Sequence, residues 1–157
     1  MGDTNQTSIA VVAESTFGVT PTNGMTFTRF TGESLAFNIE NTQSNEIRAD
    51  RNVQDIIRTN ASVAGDLNFE LSYGTYDTLL EGLMMSTYSS NVLKNGSTLK
   101  SFSLEKKFEL GSTDKFHLFK GCRIGSMGLN ISAGEIVTGN FTVLGKNMTV
   151  STSAVDS

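Results

Sequence analysis

Four segments of the chain alternate apolar and polar residues with a period of two, a pattern that an extended strand with two unlike faces accommodates and a helix does not. In 34–40, Leu35, Phe37 and Ile39 alternate with Ser34, Ala36, Asn38 and Glu40. In 63–71, Val63, Leu67, Phe69 and Leu71 oppose Ala64, Asp66, Asn68 and Glu70. Met127, Leu129 and Ile131 oppose Gly128, Asn130 and Ser132, and Val137, Phe141 and Val143 oppose Thr138, Asn140 and Thr142. One face of each strand is built for a core. The other carries small, amide or acidic side chains and no lysine or arginine, although the chain has 12 basic residues. The segment 103–109 differs: Ser103, Glu105, Lys107 and Glu109 alternate with Leu104, Lys106 and Phe108 in the mixed charge of an ordinary solvated sheet.

The rest of the chain fits a mainly β domain. A single proline, Pro21, and 15 glycines punctuate intervals rich in Thr, Ser, Asn, Phe and Val, the texture of strands joined by turns. Strands are expected over about 8–14, 25–32, 34–40, 61–72, 101–110, 115–120, 123–132, 135–145 and 148–154. The 157 residues suit one domain, 1–157, with one core. A helix is expected over about 75–86, where Tyr76, Leu79, Leu80, Leu83 and Met84 recur at helical spacing. Thr75 would be its N-cap and Gly82 would weaken it; such a helix covers an open edge or face of a β-sandwich. Residues 43–60 mix both charge signs without a sustained period and read as a long loop, a length that in compact domains usually marks function. The charges Glu46, Arg48, Asp50, Arg51, Asp55 and Arg58, with Ile47, Val53, Ile56 and Ile57, are the residues of an interaction arm rather than of a solvated connection.

Catalytic chemistry finds no foothold. His117, the one histidine, sits in an alternating segment with Lys115 and Phe119 and reads as a strand-surface side chain. Gly32-Glu33-Ser34-Leu35-Ala36 lacks the closing glycine of a nucleophile elbow. Gly121, Gly125 and Gly128 match neither phosphate-cradling pattern, and Asp50 and Asp55 alone do not make a calcium loop. The sequence therefore points to a protein that is not an enzyme, with no cofactor, metal or small-molecule substrate. Cys122, the one cysteine, reads as a small buried side chain. A net charge of −4 is the wrong sign for gripping nucleic acid phosphates, though not for letting DNA pass. The amino terminus has no secretion-signal pattern, which places synthesis in the cytoplasm of the producing cell.

The order of segments resembles the tail tube protein family of long-tailed bacteriophages over nearly the whole chain. Ala13-Glu14-Ser15-Thr16-Phe17-Gly18-Val19-Thr20-Pro21 comes first, then Thr31-Gly32-Glu33-Ser34-Leu35. The charged Ser44-Asn45-Glu46-Ile47-Arg48-Ala49-Asp50-Arg51 follows, and Gly65-Asp66-Leu67-Asn68-Phe69-Glu70-Leu71-Ser72-Tyr73-Gly74 leads into the helix. Ser101-Phe102-Ser103-Leu104-Glu105-Lys106 and Gly121-Cys122-Arg123-Ile124-Gly125-Ser126-Met127-Gly128-Leu129 complete the set.

The resemblance implies a β-sandwich or partly closed barrel with one flanking helix, assembled as hexameric rings that stack head to tail around a channel. The long loop would reach a neighbouring subunit or ring. Tape measure, tail terminator and distal tail proteins would be partners, and the virion tail the location. An immunoglobulin-like domain that often follows the tube domain is not expected within this chain. In such a tube Asn38, Glu40, Asp66, Asn68, Glu70, Asn130 and Asn140 would line the channel, where DNA passes without specific binding. The alternatives are a tube protein of a contractile tail or injection system, a β-sandwich tail-tip or carbohydrate-binding module, and a small-ligand β-barrel enzyme or carrier.

Overall fold

The computed structural model describes residues 7–43, 56–110 and 113–156. In chain order its elements are β1 (Thr7–Glu14), β2 (Thr26–Thr28), β3 (Gly32–Glu33), β4 (Ala36–Gln43), β5 (Ile56–Glu70), α1 (Asp77–Leu83), β6 (Ser101–Phe108), β7 (Lys115–Asn130), β8 (Thr138–Gly145) and β9 (Asn147–Ser151). The strands follow the path β2-β1-β6-β7-β8-β5-β3, with β4 paired to β5 and β9 to β7, and every pairing is antiparallel.

A single long strand joins the two halves of this path. The segments 115–120 and 123–132, expected as two strands, are one continuous β7. Its first half pairs with β6 and β9, and its second half, from Arg123, pairs with β8. Gly121 adopts φ +63°, and the register slips between Ile124 and Ser126. A left-handed glycine and a bulge bend a strand at the point where it leaves one sheet for another. The two halves thus close on a shared core: Ile9, Leu104 and Phe119 from one side meet Val63, Leu67, Phe69, Phe141 and Val143 from the other. The apolar faces expected from the alternation supply Val63, Leu67, Phe69, Phe141 and Val143.

The helix is shorter than its expected 75–86, and Thr75 is not its N-cap. Tyr76 holds that position without a side-chain capping bond, while the Thr75 hydroxyl lies 2.7 Å from that of Ser72. Packing holds α1 in place. Tyr76 and Leu79 are buried, Leu80 and Leu83 are half-buried against the same core, and Gly82 is buried over Phe102. A Cβ at position 82 would clash with the Phe102 ring, so the glycine that weakens the helix locally is what lets it approach the sheet. Leu79→Ala is expected to cost about 2–5 kcal/mol, and Leu80→Ala and Leu83→Ala less, because truncation costs scale with the buried volume lost. Thermal midpoints of the three variants check the order.

The expected solvated sheet at 103–109 is a further correction. Ser101, Ser103 and Glu105 are buried, covered by groups from distant parts of the chain. Thr20 meets the Ser103 hydroxyl at 2.7 Å, and the Val155 N–H donates to Glu105 at 2.9 Å. The expected strand over 25–32 is likewise replaced by the two short strands β2 and β3.

Candidate functional site

The second half of β7, with β8, β5 and β3/β4, forms a sheet whose core-averted face collects all seven polar residues singled out in the sequence. Cross-strand register aligns them in rows. Glu70 stands opposite Thr138, which stands opposite Asn130; Asn68 lies between Gly32 and Asn140, with Gly128 beyond. Asp66 faces Thr142, whose hydroxyl donates to its Oδ1 at 2.7 Å, and Ser126 follows. Asn38 pairs with Ser62 and Glu40 with Asn60. Asn38, Glu40, Asn68, Glu70 and Asn130 are exposed, while Asp66 and Asn140 are half-buried. The row of Asn140 is tight: a Cβ at Gly128 would lie 2.6 Å from its Oδ1.

Two bulges decide which basic residues reach this face. On β5 the register slips between Glu40 and Asn41, so Arg58 pairs with Asn41 rather than falling in line with Asn60. A one-residue slip moves a side chain to the other face of a sheet, and the Arg58 guanidinium stands 5.5 Å from the Phe37 ring, on the core-facing side. At Gly125 the slip has the opposite consequence. Arg123 pairs with Leu144 at the margin of the polar face, a position that unbroken alternation from Met127 would assign to the core side. Its guanidinium is held 4.8 Å from the ring of Phe17, which also takes Lys146 at 5.6 Å. The rows themselves are free of lysine and arginine.

The expected loop over 43–60 is shorter at both ends. Gln43 closes β4, and Ile56, Ile57 and Arg58 belong to β5; Glu46, Ile47, Arg48, Asp50, Arg51, Val53 and Asp55 lie outside the described residues. β8 pairs with β5 only from Val63 onward, so 37–43 and 56–62 leave the sheet as a two-stranded ribbon. An isolated ribbon of this kind is marginal in water. It carries Ile39 at 48%, Ile56 at 66% and Ile57 at 54% exposure, so these three side chains leave about half or more of their surface open in the single chain.

Both lateral edges of the sheet are open among the described residues. β4 has β5 on one side only, and β7 beyond Cys122 has β8 on one side only. Edges with unsatisfied backbone groups are templates for another strand. The described residues also contain no cluster of three or more His, Cys, Asp or Glu placed to hold a metal. His117, on the core-facing side of β7, packs edge-on against Phe108 at 4.8 Å. Burial and the nearby Lys106 hold its pKa below the ordinary histidine value, against the weaker pull of Glu33.

The Ala13–Pro21 segment owes its shape to a carboxylate that the sequence named only as part of a motif. Glu14 Oε2 accepts from the Gly18 N–H at 2.7 Å and the Ser101 hydroxyl at 2.8 Å; Oε1 accepts from the Ser103 hydroxyl at 2.7 Å and the Gly121 N–H at 2.9 Å. Glu14 thereby ties β1, β6, the bend of β7 and the turn around Phe17 together. It positions the Phe17 ring that draws Arg123 aside.

A sequence profile of the family described as phage tail tube protein matches residues 4–157. No individual curated sequence matches the chain. Among solved structures, the SPP1 tail tube superposes with a TM-score of 0.64 at 8% identity, covering 98% of this chain and 80% of that one. The tube terminating cap of the anti-feeding prophage gives 0.61 at 13% identity, covering 98% and 92%. The sheath/tube terminator of an extracellular contractile injection system, PVC, gives 0.60 at 10% identity, covering 95% of each chain. At these identities the superpositions speak for the fold.

Proposed function

We propose the finer workings of this molecule from one premise: the chain belongs to the phage tail tube protein family. It is a structural protein of the tail, and its work is assembly rather than catalysis. The observation that carries the detailed reading is a polar sheet face cleared of lysine and arginine between two open sheet edges. Six copies joined edge to edge, β4 of one against β7 of the next, would close these sheets into a barrel with that face inward. Asn38, Glu40, Asp66, Asn68, Glu70, Asn130 and Asn140 would then line the channel.

A lining of carboxylates and amides repels or ignores phosphates, whereas each Lys or Arg contact would release counterions and make the wall adhesive. DNA passes such a wall without specific binding. The ribbon of β4 and β5 reaches the next ring, which gives its isoleucines a partner. Rings made in the host cytoplasm would stack into a tube bounded by tape measure, terminator and distal tail proteins. The superposition on the PVC injection-system terminator keeps a contractile-system tube as the second reading.

Electron microscopy of the purified full-length protein tests the reading: rings or tubes with six-fold end views are expected, and uniform monomers at all concentrations would sink it. Glu40 pairs with Asn60 across the ribbon, so residues 41–59 can be replaced by Asn-Gly, which closes such a pair in a tight turn. This variant is expected to fold with an unchanged core and to form no tubes. Tubes of normal length from it would reduce the ribbon to a solvated connection.

A further inference from the structure

Two cations at the margin of the polar face end on one phenylalanine. Lys146 continues the alternation of Thr138, Asn140, Thr142 and Leu144 just past the end of β8, while a Cβ at Gly145 would meet Cys122 and Val63 in the core. Lys146 and Arg123, which pairs with Leu144, are therefore both carried on the side that bears the polar rows. Neither enters an ion pair: among the described residues the ion-paired cations are Lys100, Lys106 and Lys107. Both lie instead within the roughly 6 Å at which a ring face attracts a cation, Arg123 at 4.8 Å and Lys146 at 5.6 Å from the centre of Phe17.

The ring is held in place for them. Phe17 is not part of the core and remains 46% exposed. It stands in a tight turn closed by the Val19 N–H on the Thr16 carbonyl at 3.0 Å, with Gly18 at φ +77°, as a type II turn requires of its third residue. The Glu14 carboxylate fastens that turn through the Gly18 N–H. On the sheet side Gly121 leaves the space, since a Cβ there would come within 3.1 Å of the ring and 3.0 Å of the Lys146 Cβ. Turn, strand bend and both cations thus meet at one place.

Resting on the tail tube reading above, we infer that Phe17 is a positioning residue that holds Arg123 and Lys146 against the wall, away from the DNA that passes the polar face. A long basic side chain released at this margin is able to reach a passing phosphate, and each such contact releases counterions. Every copy supplies two such cations, so the effect multiplies around and along a tube. The face then owes its lack of adhesion to the ring beside it as well as to its own carboxylates and amides.

The test uses tubes of full-length protein and a short fluorescent DNA duplex, with retained DNA measured after the tubes are pelleted. Phe17→Leu keeps the bulk and removes the aromatic face. Its tubes are expected to retain at least tenfold more DNA than wild type at about 50 mM salt and to approach wild type at about 200 mM, because phosphate contacts weaken steeply over that range. Phe17→Tyr, which keeps the ring, is expected to behave as wild type. Adding Arg123→Gln and Lys146→Gln to Phe17→Leu is expected to abolish the excess, which a loss of packing alone would not do. Phe17→Leu tubes that retain no more DNA than wild type would overturn the role of Phe17 and leave the tube reading standing. An excess that survives the two glutamines would overturn it equally, as would Arg123→Gln/Lys146→Gln tubes that retain less DNA than wild type, since the cations would then grip DNA despite the ring. No tubes from the unmodified protein would remove the tube reading, and this role with it. Should Phe17→Leu alone fail to assemble, elution of the unassembled chain from a heparin column decides: elution at higher salt than wild type is expected, and unchanged elution would overturn the role.

Discussion

Tubes built from protein carrying Glu40→Lys, Asp66→Lys and Glu70→Lys together are expected to form and then to hold DNA rather than release it. Each substitution changes the local charge by two, and all three positions lie on one face together with Asn38, Asn68, Asn130 and Asn140. One lysine would matter little, since salt at physiological strength screens charge over about 8 Å. Repetition in every subunit of every ring changes the scale. Each lysine–phosphate contact displaces counterions and gives binding a log–log salt slope of about −0.9 on duplex DNA, so many simultaneous contacts make the wall adhesive at low salt and tolerable at high salt. DNA release from virions is expected to slow at least tenfold at low ionic strength and to recover as salt rises. Asp66 also accepts the Thr142 hydroxyl, so Glu40→Lys with Glu70→Lys, both at exposed positions, is the companion that leaves this bond intact. Normal release kinetics from tubes carrying these lysines would place the polar face on the outside.

The polar face was legible in the sequence because alternation survives wherever a strand is regular. From Val63 to Glu70 and from Thr138 to Val143 the count of two holds, and core and polar residues fall as the sequence orders them. The count fails at bulges, where alternation alone no longer gives the face of a side chain. Gly125 shifts Arg123 to the margin of the polar face, and the slip at Asn41 moves Arg58 away from it. The 43–60 segment looked like a loop because polar, exposed strands lack the apolar face by which a strand is recognised; Ile56, Ile57 and Arg58 extend β5 without entering the core. Burial by remote groups was equally invisible. Ser103 and Glu105 carry the pattern of a solvated face, and the return of the Thr20 region and of Val155, with Glu14, covers them.

The residues covering that face include the group on which the fold's acid stability is expected to turn. Burial alone would raise the Glu14 pKa, but the hydroxyls of Ser103 and Ser101 and the N–H groups of Gly121 and Gly18 together outweigh it, leaving the carboxyl below its ordinary 4.5. A carboxyl whose folded pKa is depressed contributes stability that is fully present above the unfolded value and is lost as pH falls through the folded one. Glu105 carries the opposite sign. Burial raises its pKa, the Val155 N–H lowers it in part, and Asp156 raises it further, so its ionised form opposes folding at neutral pH and its protonation relieves that cost. Glu14→Gln keeps the shape and turns one of two acceptor atoms into a donor facing donors. With hydrogen bonds to a charged group worth about 1.5–3 kcal/mol each, and not additive, a loss of about 3 kcal/mol is expected at pH 7. At this chain length that is a fall of about 10 °C in thermal midpoint. The same variant is expected to lose part of the wild-type decline below pH 4.5, because the titrating group is gone. Glu105→Gln, which still offers an oxygen to the Val155 N–H, is expected to leave the neutral-pH midpoint equal or higher. Thermal melts from pH 3 to pH 7 separate the two carboxylates, and a Glu14→Gln midpoint matching wild type at pH 7 would show that the Ala13–Pro21 turn is held by packing rather than by its carboxylate.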